Sequence, residues 1–393
     1  MTRFLFVVPP LTGHINPLIG VAGELERQGH EIHWLGHVKA VLPLLPEGAH
    51  FHAFDRVRAR NLLEPLSKRA SEVRGLESVR FLFEAFVCPL AQATLPEVER
   101  AIDVLAPDMI VTDQQMLSGA LAARRKQIPW VATVTTTAAI FKVWDIADRW
   151  ITKVLADLQR ACDMEVWPRP DLSPLANLVF STPEFSGRFD QFQAPFTFVG
   201  PSLASRPQKE NFPWDRLSPS GPRLLITLGT VNRDRDPRFY HVVTEALAEM
   251  PCQVILVAPE AWRNRTPANF ITAPRVPQLA LLPHVDAVFC HAGHNTVCES
   301  LAHGLPLIVA PIRDDQPVIA RQVTQAGAGV GLRFGRLTET NVRTAVKKVL
   351  ADASYREAAQ RIGASFARAG GSPLAARTLI ETASRCGAVA GGV

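Results

Sequence analysis

One stretch of the chain gathers residues able to hold an anion and a sugar: Phe289-Cys290-His291-Ala292-Gly293-His294-Asn295-Thr296-Val297-Cys298-Glu299-Ser300-Leu301. An apolar run ends at Cys290, a turn containing Gly293 follows, and helix-forming residues begin near Thr296. At a helix start, unpaired backbone N–H groups and the positive end of the dipole face outward and attract negative charge. A diphosphate set there would meet amide donors, the side chains of Asn295 and Thr296, and the His291 ring. The dipole alone contributes about 0.3–1 kcal/mol, so side-chain donors must supply much of the grip. Glu299 lies one turn deeper on the same face, where a carboxylate can accept hydrogen bonds from a ribose diol. The spacing Thr296-x-x-Glu299 is also that of a capping box, so a purely structural reading stays open. A second group, Arg313-Asp314-Asp315-Gln316-Pro317, follows the next apolar run. Asp315 is placed to cap a helix with Pro317 in its first turn. An acid beside an amide at the end of a strand also suits the vicinal hydroxyls of a sugar.

These residues need strands that end beside them and helices that begin there. The pattern supplies both. Residues 4–8 form a continuous apolar run of the kind buried in a parallel sheet. Asn16-Pro17 reads as a cap and first-turn proline for a helix to about residue 28, ended by Gly29. Strands are expected at 31–35, 109–112 and 130–134, with a helix over 117–125. After a proline-rich interval the alternation restarts with strands at 223–228, 253–257, 287–290 and 306–310. Strands alternating with helices imply a largely parallel sheet covered on both faces. The expectation is an α/β protein of two Rossmann-like, doubly wound domains facing each other across a cleft, a common setting for ligand sites. Residues 1–205 would form the first domain, 206–222 a linker, and 223–371 the second domain. Residues 372–393 would form a helix and tail packing back on the first domain.

Composition narrows the function classes. The 393 residues are 47% hydrophobic and 20% charged, which supplies ample apolar material for a core and excludes a disordered chain. A net charge of +5 is a small excess for this size. The basic clusters at 56–60 and 124–126 read as solvated faces, so no nucleic-acid partner is expected. Cys88, Cys162, Cys252, Cys290, Cys298 and Cys386 form no C-x-x-C pair and read as small buried hydrophobes in a reducing compartment. The N-terminal apolar run stops at Pro9-Pro10 with no cleavage site after it. No uninterrupted apolar stretch approaches about 18 residues, so no transmembrane helix is expected and the protein reads as cytoplasmic. There is no G-x-x-x-x-G-K-[ST], no G-x-G-x-x-G and no G-x-S-x-G, which argues against P-loop, dinucleotide and α/β-hydrolase chemistry. His291, His294, Glu299 and His303 lack the spacing of H-E-x-x-H, and no metal is expected.

The segment 276–316 resembles the donor-binding signature of nucleotide-sugar-dependent glycosyltransferases of the UDP-glycosyltransferase type (family 1), which have the GT-B fold. The matching pieces are Val276-Pro277-Gln278, His291-x-Gly293-x-Asn295-Thr296-x-x-Glu299 and Pro311-x-x-x-Asp315-Gln316. The likeness extends to Gly13-His14-x-Asn16-Pro17 and Leu228-Gly229-Thr230, and is strongest toward bacterial natural-product and macrolide enzymes. It implies that His291, Asn295 and Thr296 hold the diphosphate, Glu299 the ribose, and Asp315 and Gln316 the hexose. Thr230 would lie near the phosphates and Gln278 near the nucleoside. His14 matches the general base and Asp113 its partner, although an aspartate after a strand is also a common helix cap. Where many relatives stack a tryptophan on the base, this chain has Arg275, whose guanidinium can also stack, so UDP and TDP donors both remain open.

The reaction implied is inverting transfer of a hexose from a nucleoside-diphosphate sugar to an acceptor hydroxyl, without a cofactor or obligatory metal, by a monomer or homodimer. Phe81, Phe83, Phe86 and Trp144 are candidates for contacting a hydrophobic acceptor such as a polyketide, macrolide, flavonoid-like compound or terpenoid. They also read as helix core. A non-catalytic helper of a partner transferase and a nucleotide-sugar epimerase are the alternatives. Retention of His14, Glu299, Asp315 and Gln316 argues against the helper.

Overall fold

Short, uninterrupted apolar runs become strands buried on both faces, and the helices between them supply the cover. The computed structural model describes residues 1–54, 76–139, 145–187, 193–203, 211–229, 237–262 and 265–390. The chain divides into two compact units, the first comprising Met1–Pro183, Gly187–Pro207 and Ala369–Val393, the second Glu184–Ser186 and Gln208–Arg368.

In the first unit, β1 (Arg3–Val7), β2 (Glu31–Gly36), β3 (His50–Ala53), β4 (Met109–Asp113), β5 (Trp130–Val134), β6 (Asn177–Val179) and β7 (Phe196–Phe198) form a parallel sheet. Its order is β3-β2-β1-β4-β5-β6-β7. In the second, β8 (Arg223–Thr227), β9 (Gln253–Val257), β10 (Phe270–Ala273), β11 (Ala287–Cys290), β12 (Leu307–Val309) and β13 (Gly329–Gly331) are also parallel. Their order is β10-β9-β8-β11-β12-β13. Each sheet runs outward in both directions from its first strand, so the winding reverses between β1 and β4 and between β8 and β11. A doubly wound sheet leaves a ligand-sized crevice at the carboxyl ends of those strands.

Residue parity sorts each strand onto two cores. Phe4 and Phe6 face Trp34, Met109, Val111 and helix residue Leu18. Leu5 and Val7 face Ile110, Ala132, Leu95 and Leu121. In the second unit Leu225, Val288 and Cys290 face one core and Leu224, Ile226 and Phe289 the other. The Phe4–Phe6 core of the first unit is completed from far along the chain: Ala375, Ala376 and Leu379 of helix Gly371–Ala390 are fully buried in it.

Several elements depart from the sequence pattern. The first helix starts at Thr12, so Asn16 and Pro17 lie in its second turn and Pro17 is inside the helix. Leu11 is the extended cap, and its carbonyl accepts from the amides of His14 (2.9 Å) and Ile15 (3.2 Å). No side chain caps this end, which left no sequence signal for it. Residues 211–222 are not a free linker but part of the second unit. Phe212 is buried in its core, and Gln253 of β9 clamps the segment, donating to the Arg216 carbonyl and accepting from the Ser218 amide at 2.8 Å each. The prolines suppress regular structure there without preventing burial. Helix Glu77–Leu105 is long and apolar enough, by length and composition, to cross a membrane, contrary to the expectation from uninterrupted runs. Its stripe of Val87, Leu90, Leu95, Val98 and Ile102 packs in the first unit's core.

Because Leu379 closes the Phe4–Phe6 core, Leu379→Ala should lower stability by about 2–5 kcal/mol. Chemical denaturation measures this, and a loss below about 1 kcal/mol would show that the helix adds little to the core.

Candidate functional site

At the carboxyl end of β11 the chain turns through Ala292, a non-glycine residue held at φ +65. Left-handed backbone at such a residue is uncommon and gathers at functional turns. Helix His294–Ala302 then begins two residues earlier than the sequence pattern suggests, with Gly293 as its cap. Thr296 is therefore inside the first turn, and Thr296-x-x-Glu299 is not a capping box. Gly293 offers no capping side chain.

His291 stands just before this turn and is 9% exposed. Its ring is wedged between two glycines from different loops. A Cβ on Gly229, after β8, would lie 2.6 Å from His291 Cε1, and a Cβ on Gly293 would lie 2.6 Å from Nε2. Gly229 also sits at φ +69, so both space and backbone conformation require glycine there. His291 Nδ1 is buried and has no partner of good hydrogen-bond geometry, the Thr227 backbone being the polar neighbour of the ring. Burial pushes the imidazole down to about 4, with the charge of Asp315 and the Thr227 backbone opposing the shift and Arg313 reinforcing it. At neutral pH His291 is thus an uncharged hydrogen-bonding group. Positive potential comes instead from the helix start and from buried Arg313, whose Nε lies 3.3 Å from Asp314 Oδ2.

Glu299, 2% exposed, accepts a 2.6 Å hydrogen bond at Oε2 from Gln278 Nε2. Gln278 opens the short helix Gln278–Leu281, so the bond joins two segments distant in sequence and fixes the carboxylate's orientation. Asp315 occupies the cap position of helix Gln316–Gln325, but its side chain makes no cap hydrogen bond. The turn is instead held by Gln316, whose Oε1 accepts from the amides of Ile312 (2.9 Å) and Arg313 (3.1 Å). With the amide oxygen engaged, Gln316 can offer a ligand only N–H donors. Asn295 is half-buried on the first turn, Arg275 is exposed, and Val276 packs partly against the core. Thr230 lies outside the described residues.

The suggested metal ligands do not converge. His294 Nε2 contacts Cys298 Sγ at 3.5 Å, against the core, while His303 is exposed. Among the described residues no group of three or more ligating side chains is present.

The first unit uses the equivalent place in its own sheet. His14 lies in the first turn of helix Thr12–Arg27, after β1, and Asp113 is the last residue of β4. His14 Nδ1 is 2.9 Å from Asp113 Oδ1, with side-chain exposures of 13% and 0%. The Gln115 amide also donates to Asp113 Oδ1 at 2.8 Å. The carboxylate therefore holds a local turn and contacts the imidazole at once. Nδ1 is thus the ring nitrogen that faces the carboxylate.

Residues 196–368 match the family described as UDP-glucoronosyl and UDP-glucosyl transferase. The chain is 27% identical over 410 residues to YojK of Bacillus subtilis (strain 168), described as an uncharacterized UDP-glucosyltransferase, covering 97% of each. It is 27% identical over 408 residues to 4'-demethylrebeccamycin synthase of Lentzea aerocolonigenes, covering 93% of this chain and 96% of the other. The solved structure of spinosyn rhamnosyltransferase SpnG complexed with thymidine diphosphate aligns with a TM-score of 0.73 at 20% identity, covering 95% and 99%. The chain is a glycosyltransferase, and over residues 196–368 it is similar to that family. It has the GT-B fold and uses a nucleoside-diphosphate sugar.

Of this glycosyltransferase's candidate acceptor residues, Phe81, Phe83 and Phe86 lie around a π-helical segment, Leu82–Val87. The Cys88 amide reaches back to the Phe83 carbonyl there, just before Pro89, which has no N–H to give. The wider turn separates the proline ring from the preceding carbonyls, a local cause often met at functional positions. Phe83 meets Trp150 edge to face at 6.2 Å, and Phe83 and Phe86 pack on the core. Phe81 is half-buried and Trp144 lies outside the described residues. The sequence pattern did not mark Thr135, whose Oγ1 lies 2.7 Å from both His14 Nδ1 and Asp113 Oδ2, nor Gly229 and Arg313 beside His291. The threonine run following β5 at a strand's carboxyl end was the available signal for Thr135. Contacts across loops left none for the other two.

Burial of neutral His291 carries a pH signature. Its folded pKa, about 4, lies below the ordinary 6.5, so the unfolded chain binds the extra proton between those values. The contribution of His291 to stability is constant above about 6.5 and is lost as pH falls toward 4. An NMR titration should show the His291 imidazole protonating near 4. A midpoint near 6.5 would refute the buried placement.

Proposed function

We propose that this enzyme transfers a hexose, with inversion, from a UDP- or TDP-sugar to a hydroxyl of a hydrophobic small molecule. Polyketide, macrolide, flavonoid-like and terpenoid alcohols are the acceptor classes. The observation that carries this reading is the His14–Asp113 contact of 2.9 Å, made by a fully buried carboxylate at the switch point of a parallel sheet. In the proposed mechanism His14 Nε2 takes the acceptor proton as the hydroxyl oxygen attacks the anomeric carbon. The bond from that carbon to the diphosphate breaks on the opposite face, and the nucleoside diphosphate leaves. Asn295, Thr296, His291 and the first-turn amides of helix His294–Ala302 receive the developing charge. Glu299, oriented by Gln278, accepts from the ribose, and Asp315 and Gln316 engage the hexose hydroxyls. Thr230 is assigned to the phosphates, and Arg275, exposed beside Val276, to stacking on the base.

The names of the relatives support a natural-product acceptor, and thymidine diphosphate bound to SpnG supports TDP beside UDP. The apolar acceptor surface is assigned to Phe81, Phe83, Phe86 and Trp144. Six free cysteines suit a reducing, cytoplasmic setting.

His14→Ala should lower kcat by about 10²–10⁴-fold, the usual worth of a positioned base. Thermal stabilisation by UDP or TDP, which follows binding to the folded state, should be retained. Near-normal turnover in this variant would overturn the base assignment. Since protein donors are assigned to the diphosphate, turnover should also be unchanged in EDTA; activity lost there and restored by magnesium would overturn the metal-free reading.

A further inference from the structure

We propose that Thr135 is a positioning residue that locks the tautomer of His14, an inference that rests on the general-base reading above. Thr135 lies just beyond β5, next to β4 in the sheet, and is 2% exposed. Its Oγ1 is 2.7 Å from Asp113 Oδ2 and 2.7 Å from His14 Nδ1, while that same Nδ1 is 2.9 Å from Asp113 Oδ1. The three groups close a ring in which proton placement is over-determined. A hydroxyl has a single proton, and an ionised carboxylate has none to give.

Two arrangements can be written. In the first, Thr135 donates to Asp113 Oδ2, and Nδ1–H is shared between Asp113 Oδ1 and the Thr135 oxygen. Every short contact then has a proton, and Nε2 carries the lone pair required of a base. In the second, Thr135 donates to a bare Nδ1. That leaves the Nδ1 lone pair facing Asp113 Oδ1 without a proton, removes a donor from Oδ2, and places the hydrogen on Nε2, where the base is disabled. The geometry selects the first. Thr135 acts through Asp113 and His14 without touching substrate: its hydroxyl proton satisfies the second carboxylate oxygen, and its oxygen rewards only a protonated Nδ1. Asp113 alone favours Nδ1–H through Oδ1; Thr135 adds a second acceptor for that proton and, by holding Oδ2, fixes the rotation of the carboxylate that faces it.

The test compares Thr135→Val, Thr135→Ser and the unaltered enzyme, using ¹⁵N NMR of the histidine ring and steady-state kinetics. In the unaltered enzyme at neutral pH, His14 should show a single tautomer with Nδ1 protonated and Nε2 bare. This measurement needs no variant to fold. Thr135→Val should give a mixture of tautomers and lower kcat about tenfold or more, with the KM for the sugar nucleotide little changed. Thr135→Ser should restore both the single tautomer and kcat. A protonated Nε2 in the unaltered enzyme, an unchanged kcat and tautomer in Thr135→Val, or no rescue by serine would each overturn the proposal. Failure of the base reading is distinguishable: it is seen as retained turnover in His14→Ala, whatever Thr135 does.

Discussion

A parallel sheet covered on both faces gives its polar side chains one outlet, the ends of its strands. Both units obey this constraint, and the positions of their candidate residues follow from it. Phe4 to Val7 and Leu224 to Ile226 are wholly buried, so neither strand can carry polar chemistry along its length. His14 and Asp113 stand at the carboxyl ends of β1 and β4, and Gly229 and His291 at those of β8 and β11. In each sheet these are the adjacent strands between which the winding reverses. One topological rule thus places the His14–Asp113 contact in the first unit and the His291 turn in the second.

The two sites use low dielectric in different ways. In the first, a fully buried carboxylate is surrounded by donors, namely the His14 ring, the Thr135 hydroxyl and the Gln115 amide. Such a network is rigid because each partner would be costly to leave unsatisfied. In the second, burial keeps His291 neutral, and glycines on either side leave its ring a single slot. A neutral ring does not hold an anion by charge, so the positive potential there belongs to Arg313 and the helix terminus. Glu299 is held by the neutral amide of Gln278. A carboxylate held this way keeps its affinity for neutral hydroxyls.

Legibility differed by element for physical reasons. Trp130–Val134, Gln253–Val257 and Ala287–Cys290 were readable to the residue because buried parallel strands are continuous apolar runs bounded by polar turns. Helix starts were less readable. Thr12–Arg27 and His294–Ala302 both begin without a capping side chain, so the usual Ser, Thr, Asp or Asn marker was absent or misplaced. Phe212 was hidden by the prolines around it, which report local backbone preference and say nothing about where an aromatic ring is buried.

Residue type and spacing along the chain settled the α/β class, the two sheets and the turn at 291–296, because each depends on local periodicity and on groups within a few residues of one another. Pairings across sequence distance were settled by folding: Asp113 with His14 and Thr135, Gln278 with Glu299, Gly229 with His291, and Leu379 with the core of the first unit. Each joins residues on separate strands or loops. Whether they meet depends on strand order and register, which no single segment encodes.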